Sequence, residues 1–187
     1  MKNIKLAIKL FIIAGMAGLI LGAVHAITAN PIAAQQKKTK DLAMVEVLPA
    51  AKTFDKSDVQ LTGNVVEVNQ GKDGGNTVGY AVTVSSKGYA GPIEIMVGIS
   101  SEGKIEGIKI LSMSETPGLG AKAKEPAFSG QYKGKSLDNP LEVVKTKPAN
   151  PNEIEAITGS TITSRAVTKG VNEAGEFYKS ELEGGQK

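Results

Sequence analysis

The 187-residue chain has no cysteine and no tryptophan, a single histidine, and only four Phe and four Tyr. Without cysteine there can be no disulfide, no thiolate catalysis, no cysteine-ligated iron–sulfur cluster and no lipid-modified cysteine anchor. The lone histidine, His25, lies in an apolar N-terminal stretch, so the remainder of the chain has no histidine-based metal site and no Ser–His pair. Scarce aromatics leave the core to Ile, Val, Leu and Ala, and 22 glycines imply many tight turns. The net charge of +3 has a local source in Lys2, Lys5 and Lys9. From residue 10 onward basic and acidic residues balance, 19 against 19. No basic cluster is interleaved with aromatics, so the electrostatic basis for nucleic-acid binding is missing.

What is present begins with Leu10–Ile27, an apolar run free of Asp, Glu, Lys and Arg behind a basic leader. About 20 apolar residues span a bilayer as a helix. The lysines precede the run and none follows until Lys37, which orients the N-terminus to the cytoplasm and the body outside it. The expectation is a single-pass anchor in the cell (inner) membrane with the lipid bilayer as a partner. A cleavable signal peptide is the alternative, because Val24-His25-Ala26 places small residues where a signal peptidase acts. Asn30-Pro31 reads as a break. Ile32–Leu48 then reads as a helix ending before Pro49 or as a solvated linker. These boundaries give a leader and anchor over 1–29, a stalk over 30–62 and a globular domain over 63–187.

Within that domain Val65–Val68, Val78–Val84, Ile93–Ile99 and Ile105–Leu111 are runs rich in β-branched residues separated by glycine-containing turns. Such short connections make hairpins, not parallel crossovers. The expectation is a four-stranded antiparallel sheet in an α+β fold. From Thr163 to Leu182, apolar Ala166, Val167, Val171, Ala174, Phe177, Tyr178 and Leu182 share one helical face. Gly170 and Gly175 weaken that helix by roughly 1 kcal/mol each, so packing on the sheet must compensate. The tail from Glu183 to Lys187 is expected to fray.

Two segments carry candidate chemistry. Ser114–Lys122 holds Glu115, Thr116, Pro117, Gly118, Leu119 and Gly120, a stiffened loop whose glycines permit close backbone approach to a planar or anionic ligand. Glu155–Ser164 crowds Thr158, Ser160, Thr161 and Thr163 around Gly159 at a helix N-terminus, where free amides and the dipole favour a phosphate. One hydroxyl suffices to cap a helix, so the cluster is either an anion site or an over-furnished cap.

Glu115-Thr116-Pro117-Gly118-Leu119-Gly120 followed by Thr158-Gly159-Ser160-Thr161 resembles the FMN-binding domain of the RnfG and NqrC subunits of membrane ion-translocating oxidoreductases. The similarity to RnfG is closer, through Thr161-Ile162-Thr163-Ser164-Arg165-Ala166-Val167. The resemblance implies FMN attached by a phosphoester to Thr161, installed from FAD by a flavin transferase. It implies Glu115, Thr116, Gly118, Leu119 and Gly120 along the flavin, and Thr158, Gly159, Ser160 and Thr163 about the phosphate. Ser160 stands where that family usually has Ala and offers a second candidate hydroxyl beside Thr161, with Thr163 a third; Glu155 stands where the family usually has Asp, and Met113 where it often has His. The implied role is an electron-transfer subunit of an Rnf-type ferredoxin:NAD oxidoreductase, working with other membrane subunits and not catalytic alone. A quinone-reductase subunit, a stand-alone envelope flavoprotein and a non-redox anchored binding module are the other readings. An apolar helix without acidic residues offers no ion path, so translocation would belong to other subunits.

Overall fold

A computed structural model describes residues 2–183; Gly184–Lys187, the greater part of the expected frayed tail, lie outside the described residues. The chain divides into two units, Met1–Lys40 and Asp41–Lys187. The described residues of the first unit lie in helix α1 (Lys2–Val47), which contains a stretch long and apolar enough to cross a membrane. Phe11, Leu19, Leu21 and Ile27 are each at least 70% exposed, as lipid-facing residues would be.

Pro31 lies inside α1, and the break expected at Asn30-Pro31 is absent. Proline's fixed φ is compatible with the helix, and its cost is one lost hydrogen bond and a steric conflict, together about 3 kcal/mol. Ala33, Ala34, Gln35, Gln36, Lys37 and Lys38, all strong helix formers, carry the helix past it. The helix ends ahead of Pro49, where Leu48 N–H donates to the Met44 carbonyl at 3.0 Å.

The second unit is built on a five-stranded antiparallel sheet in chain order: β1 (Thr53–Lys56), β2 (Val65–Asp73), β3 (Asn76–Lys87), β4 (Pro92–Ser100) and β5 (Ile105–Ser112). The four expected strands are present. Strand β1 is an addition at the edge, inside the stretch read as stalk, and its sequence TFDK gave no alternating signal. A short polar strand is what a sheet edge tolerates. A chain segment carrying α2 (Pro126–Ser129), β6 (Glu142–Val144) and β7 (Glu153–Glu155) then leads to α3 (Thr161–Phe177). Strands β6 and β7 pair in parallel.

One sheet face packs against α3. Val82, Val84, Ile95 and Val97 lie with Ala166, Val167, Val171 and Ala174 in the main core. Gly170 admits the sheet closely, since a β-carbon there would stand 2.9 Å from Ile95 Cδ1. The helix weakness that Gly170 introduces is thus the condition of its packing. Beyond Phe177 a π turn over Tyr178–Leu182 buries Leu182, with Glu183 N–H reaching the Tyr178 carbonyl.

The other face receives the end of α1. Ala43, Val47, Leu48 and Ala51 form a second core with Ala81 and Met96. Small residues run across the sheet beneath them, in the paired positions Gly71–Gly79, Ala81–Gly98 and Gly98–Gly107. A β-carbon on Gly98 would collide with the Val47 carbonyl, and one on Gly71 would lie 2.8 Å from Ala51 Cβ. The strand glycines are the seat of this segment.

Candidate functional site

Three connections meet at one end of the sheet: the β3–β4 turn, the loop after β5, and the entrance to α3. Thr116-Pro117-Gly118-Leu119 closes with Leu119 N–H on the Thr116 carbonyl at 3.2 Å, and Gly118 has φ 76°. Ile157-Thr158-Gly159-Ser160 closes with Ser160 N–H on the Ile157 carbonyl at 2.9 Å, and Gly159 has φ 78°. Positive φ at the third position is the type II pattern, which glycine adopts without penalty. The two turns face one another, with the β-carbon position of Gly159 3.4 Å from Leu119 Cδ2.

Glu115 joins these pieces. It is 7% exposed. Its Oε1 accepts the amides of Tyr89 at 2.8 Å and Ala90 at 3.1 Å, and its Oε2 accepts the Thr163 hydroxyl at 2.7 Å. Charge-assisted bonds of this kind are about twice as strong as neutral ones. Two glycines make room for the carboxylate. A β-carbon on Gly88 would strike Oε1, and one on Gly120 would stand 2.7 Å from both Oε2 and Thr163 Oγ1.

The result is a cleft of about 550 Å³ lined by Tyr89, Glu115, Thr116, Leu119, Gly120 and the run from Gly159 to Thr163. That volume is in the range of small-molecule and cofactor sites. Tyr89, Leu119 and Ile162 are large, exposed apolar or aromatic side chains, and all three line it. Ser160 is the N-cap of α3 but makes no side-chain capping bond, so its hydroxyl does not take up the first amides of the helix. Helix N-termini with such amides attract phosphate. Among the described residues, no Lys, Arg or His lines the cleft.

Of the residues singled out from the sequence, Glu115, Thr116, Leu119, Gly120, Gly159, Ser160, Thr161 and Thr163 line this cleft. Gly118 shapes the turn without lining it. Thr158 faces a neighbouring recess with Lys122, Glu125, Phe128, Gln131 and Glu155. Tyr89 and Ile162 join the cleft without having been singled out. The only aromatic in the Gly88–Gly91 turn, and an isoleucine off the apolar stripe of α3, were the signals that could have found them.

The FMN-binding domain family matches residues 88–176, a span that holds all three connections. Over 94% of the chain, 42% of residues are identical to the G subunit of a Na(+)-translocating ferredoxin:NAD(+) oxidoreductase complex from Acetobacterium woodii, covering 91% of that protein. The G subunit of a proton-translocating ferredoxin:NAD(+) oxidoreductase complex from Clostridium ljungdahlii is 43% identical over 86% of this chain and 83% of that one. Among solved structures, the C subunit of the Na(+)-translocating NADH-quinone reductase from Parabacteroides distasonis shares the fold, with a TM-score of 0.59 at 21% identity, covering 78% of this chain and 92% of that one. Shewanella oneidensis NqrC aligns with a TM-score of 0.50 at 24% identity, covering 73% and 66%. The chain belongs to the family of G subunits of ion-translocating ferredoxin:NAD(+) oxidoreductase complexes, the RnfG family.

Proposed function

We infer that this protein is the electron-transfer flavoprotein subunit of a membrane-bound Rnf-type complex, with FMN held in the cleft between the Glu115–Gly120 loop and the entrance to α3. The observation that carries this reading is the meeting of both motifs in one cleft of suitable volume, with an apolar lining and an uncapped helix N-terminus. Bound FMN supplies one- and two-electron exchange, which the side chains of this cysteine-free chain do not. Leu119, Ile162 and Tyr89 offer apolar and aromatic surface to the ring system, and the amides at the start of α3 offer donors to the phosphate.

The FMN is attached through a phosphoester to the Thr161 hydroxyl. Thr161 is half-buried, opens the helix, and lines the cleft. The cleft's lack of basic side chains fits a tethered group. A diester carries one negative charge where a free phosphate carries nearly two, and a covalent bond makes ion pairing unnecessary for retention. A separate flavin transferase performs the attachment, so modification is not this protein's own catalysis. Helix α1 anchors the chain in the bilayer, with Lys2, Lys5 and Lys9 on the cytoplasmic side and the domain outside. Translocation belongs to other subunits, because the apolar span has no acidic residue.

Co-expression with a flavin transferase, followed by a denaturing gel viewed under ultraviolet light, tests the site. A fluorescent band that is lost in Thr161→Ala is expected. A dark wild-type band beside a labelled control protein would sink the covalent assignment. Orientation is tested with Ser180→Cys, an exposed position on a chain without other thiols. An impermeant thiol reagent should label it in intact cells, and protection until the membrane is opened would reverse the topology.

A further inference from the structure

Five hydroxyl side chains lie between Thr158 and Ser164, and attachment of one flavin requires that one of them be chosen. Their environments differ. Thr158 faces the neighbouring recess. Ser164 is fully buried, donates to the Ser160 carbonyl at 3.0 Å and accepts the Ile157 amide at 3.0 Å. Ser160 is 7% exposed at the N-cap. Thr161 and Thr163 both line the cleft, two residues apart on the first turn of the same helix. They differ in their surroundings: Thr161 is half-buried, whereas Thr163 is 2% exposed and its hydroxyl is held by Glu115.

We propose that Glu115 is the residue that selects the modified hydroxyl, by binding Thr163 and leaving Thr161 as the threonine that can enter the transferase. The proposal rests on the covalent reading above. In the step concerned, the chosen hydroxyl oxygen bonds to the FMN phosphorus of FAD, the phosphoanhydride bond to AMP breaks, AMP leaves, and the hydroxyl proton passes to the transferase. No electrons change hands. A carboxylate hydrogen-bonded to a hydroxyl would raise its nucleophilicity if the donor could reach it. Here the oxygen must be inserted into another protein's active site, so access decides over basicity. Thr163 Oγ1 is enclosed by Glu115 and by Gly120, at a distance where even a methyl group on residue 120 does not fit. The two amides on Oε1 keep the carboxylate from swinging away, since rotation would leave both donors unpaired.

The test maps the site of the label by peptide mass spectrometry on the full chain co-expressed with the transferase. Wild type should carry flavin on Thr161, and Thr161→Ala should carry none. Thr161→Ala combined with Glu115→Ala should regain covalent flavin, on Thr163. Glu115→Gln should restore the block. Its oxygen keeps the Tyr89 and Ala90 amides, and its NH₂ group holds the Thr163 oxygen, so that double variant should stay dark. Should Glu115→Ala fail to fold, Glu115→Asp replaces it, because the shorter side chain cannot hold the two amides and Thr163 together. Label on Thr163 in Thr161→Ala alone overturns the proposal however the Glu115 variants fold. So does a folded Glu115→Ala or Glu115→Asp double variant that stays dark or is labelled on Ser160. A dark wild-type chain is instead a failure of the covalent reading.

Discussion

The backbone carbonyl of Val47 occupies the place where Gly98 would carry a side chain. Two segments far apart in sequence are thus in contact backbone to backbone, and the end of α1 is seated on the sheet through a missing β-carbon. Because the obstacle is a carbonyl and not the tip of a flexible side chain, it cannot step aside locally.

Gly98→Ala should therefore destabilise the domain by about 1–3 kcal/mol, the usual cost of overpacking. Gly107→Ala is the control. A β-carbon there would stand 3.5 Å from Val47 Cα, an ordinary contact, and the change should stay within about 0.5 kcal/mol. Urea unfolding of the detergent-solubilised chain, followed by fluorescence of its four tyrosines, separates the two. Equal midpoints for both variants would refute the seat.

Gly120→Ala and Gly118→Ala separate crowding from backbone strain. At Gly120 the new methyl displaces the Glu115 carboxylate and Thr163, so stability should fall by about 1–3 kcal/mol and flavin attachment should slow. At Gly118 there is open space but φ is 76°, so only the left-handed strain of about 1–2 kcal/mol applies, with attachment unaffected. Time courses of labelling beside unfolding curves check both. An identical labelling defect in the two variants would contradict the distinction.

Tyr89→Ala and Leu119→Ala remove exposed surface from the cleft without opening the core. Unfolding free energies should stay within about 0.5 kcal/mol of wild type. Affinity for free FMN, measured by equilibrium dialysis in a Thr161→Ala background, should fall. Unchanged affinity in both would remove the apolar lining from the binding reading.

Tyr132 sits in the core with its hydroxyl 2.7 Å from Thr168 Oγ1, and burial pushes its pKa above the ordinary 10.0, with the Thr168 contact partly opposing the rise. Tyr178 is raised as well, first by burial and then by Glu183. A raised pKa means that folding favours the protonated phenol. The associated stability is complete below pH 10 and is lost as pH rises beyond it. Tyr132→Phe should cost about 1 kcal/mol at neutral pH through the lost hydrogen bond. It should also make the alkaline decline shallower, measured as unfolding midpoint against pH. An unaltered slope would show that Tyr178 or other groups carry it.

Much of this protein is legible along the chain because the signals are local. Eighteen consecutive residues without Asp, Glu, Lys or Arg require an apolar surrounding, β-branched runs between glycine turns make hairpins, and Pro117-Gly118 and Thr158-Gly159 dictate turn geometry within four residues. The two motifs contain most of the residues that line the cleft. Less local features escape such a reading. Strand β1 is too short and polar to show a period, and helix α1 passes through Pro31 because strong helix formers on its far side outweigh one lost bond.

What the sequence determined by itself was an apolar N-terminal helix, an antiparallel α+β domain and two glycine-bearing turns, each a matter of neighbours a few residues apart. Only the tertiary structure decided why the strand glycines are where they are, that Tyr89 and Ile162 face the same cleft, and that Glu115 holds Thr163 across 48 positions of chain. Those are relations between residues distant in sequence, and their energies arise from exclusion of volume and pairing of buried polar groups. Such terms exist only once the chain has closed on itself.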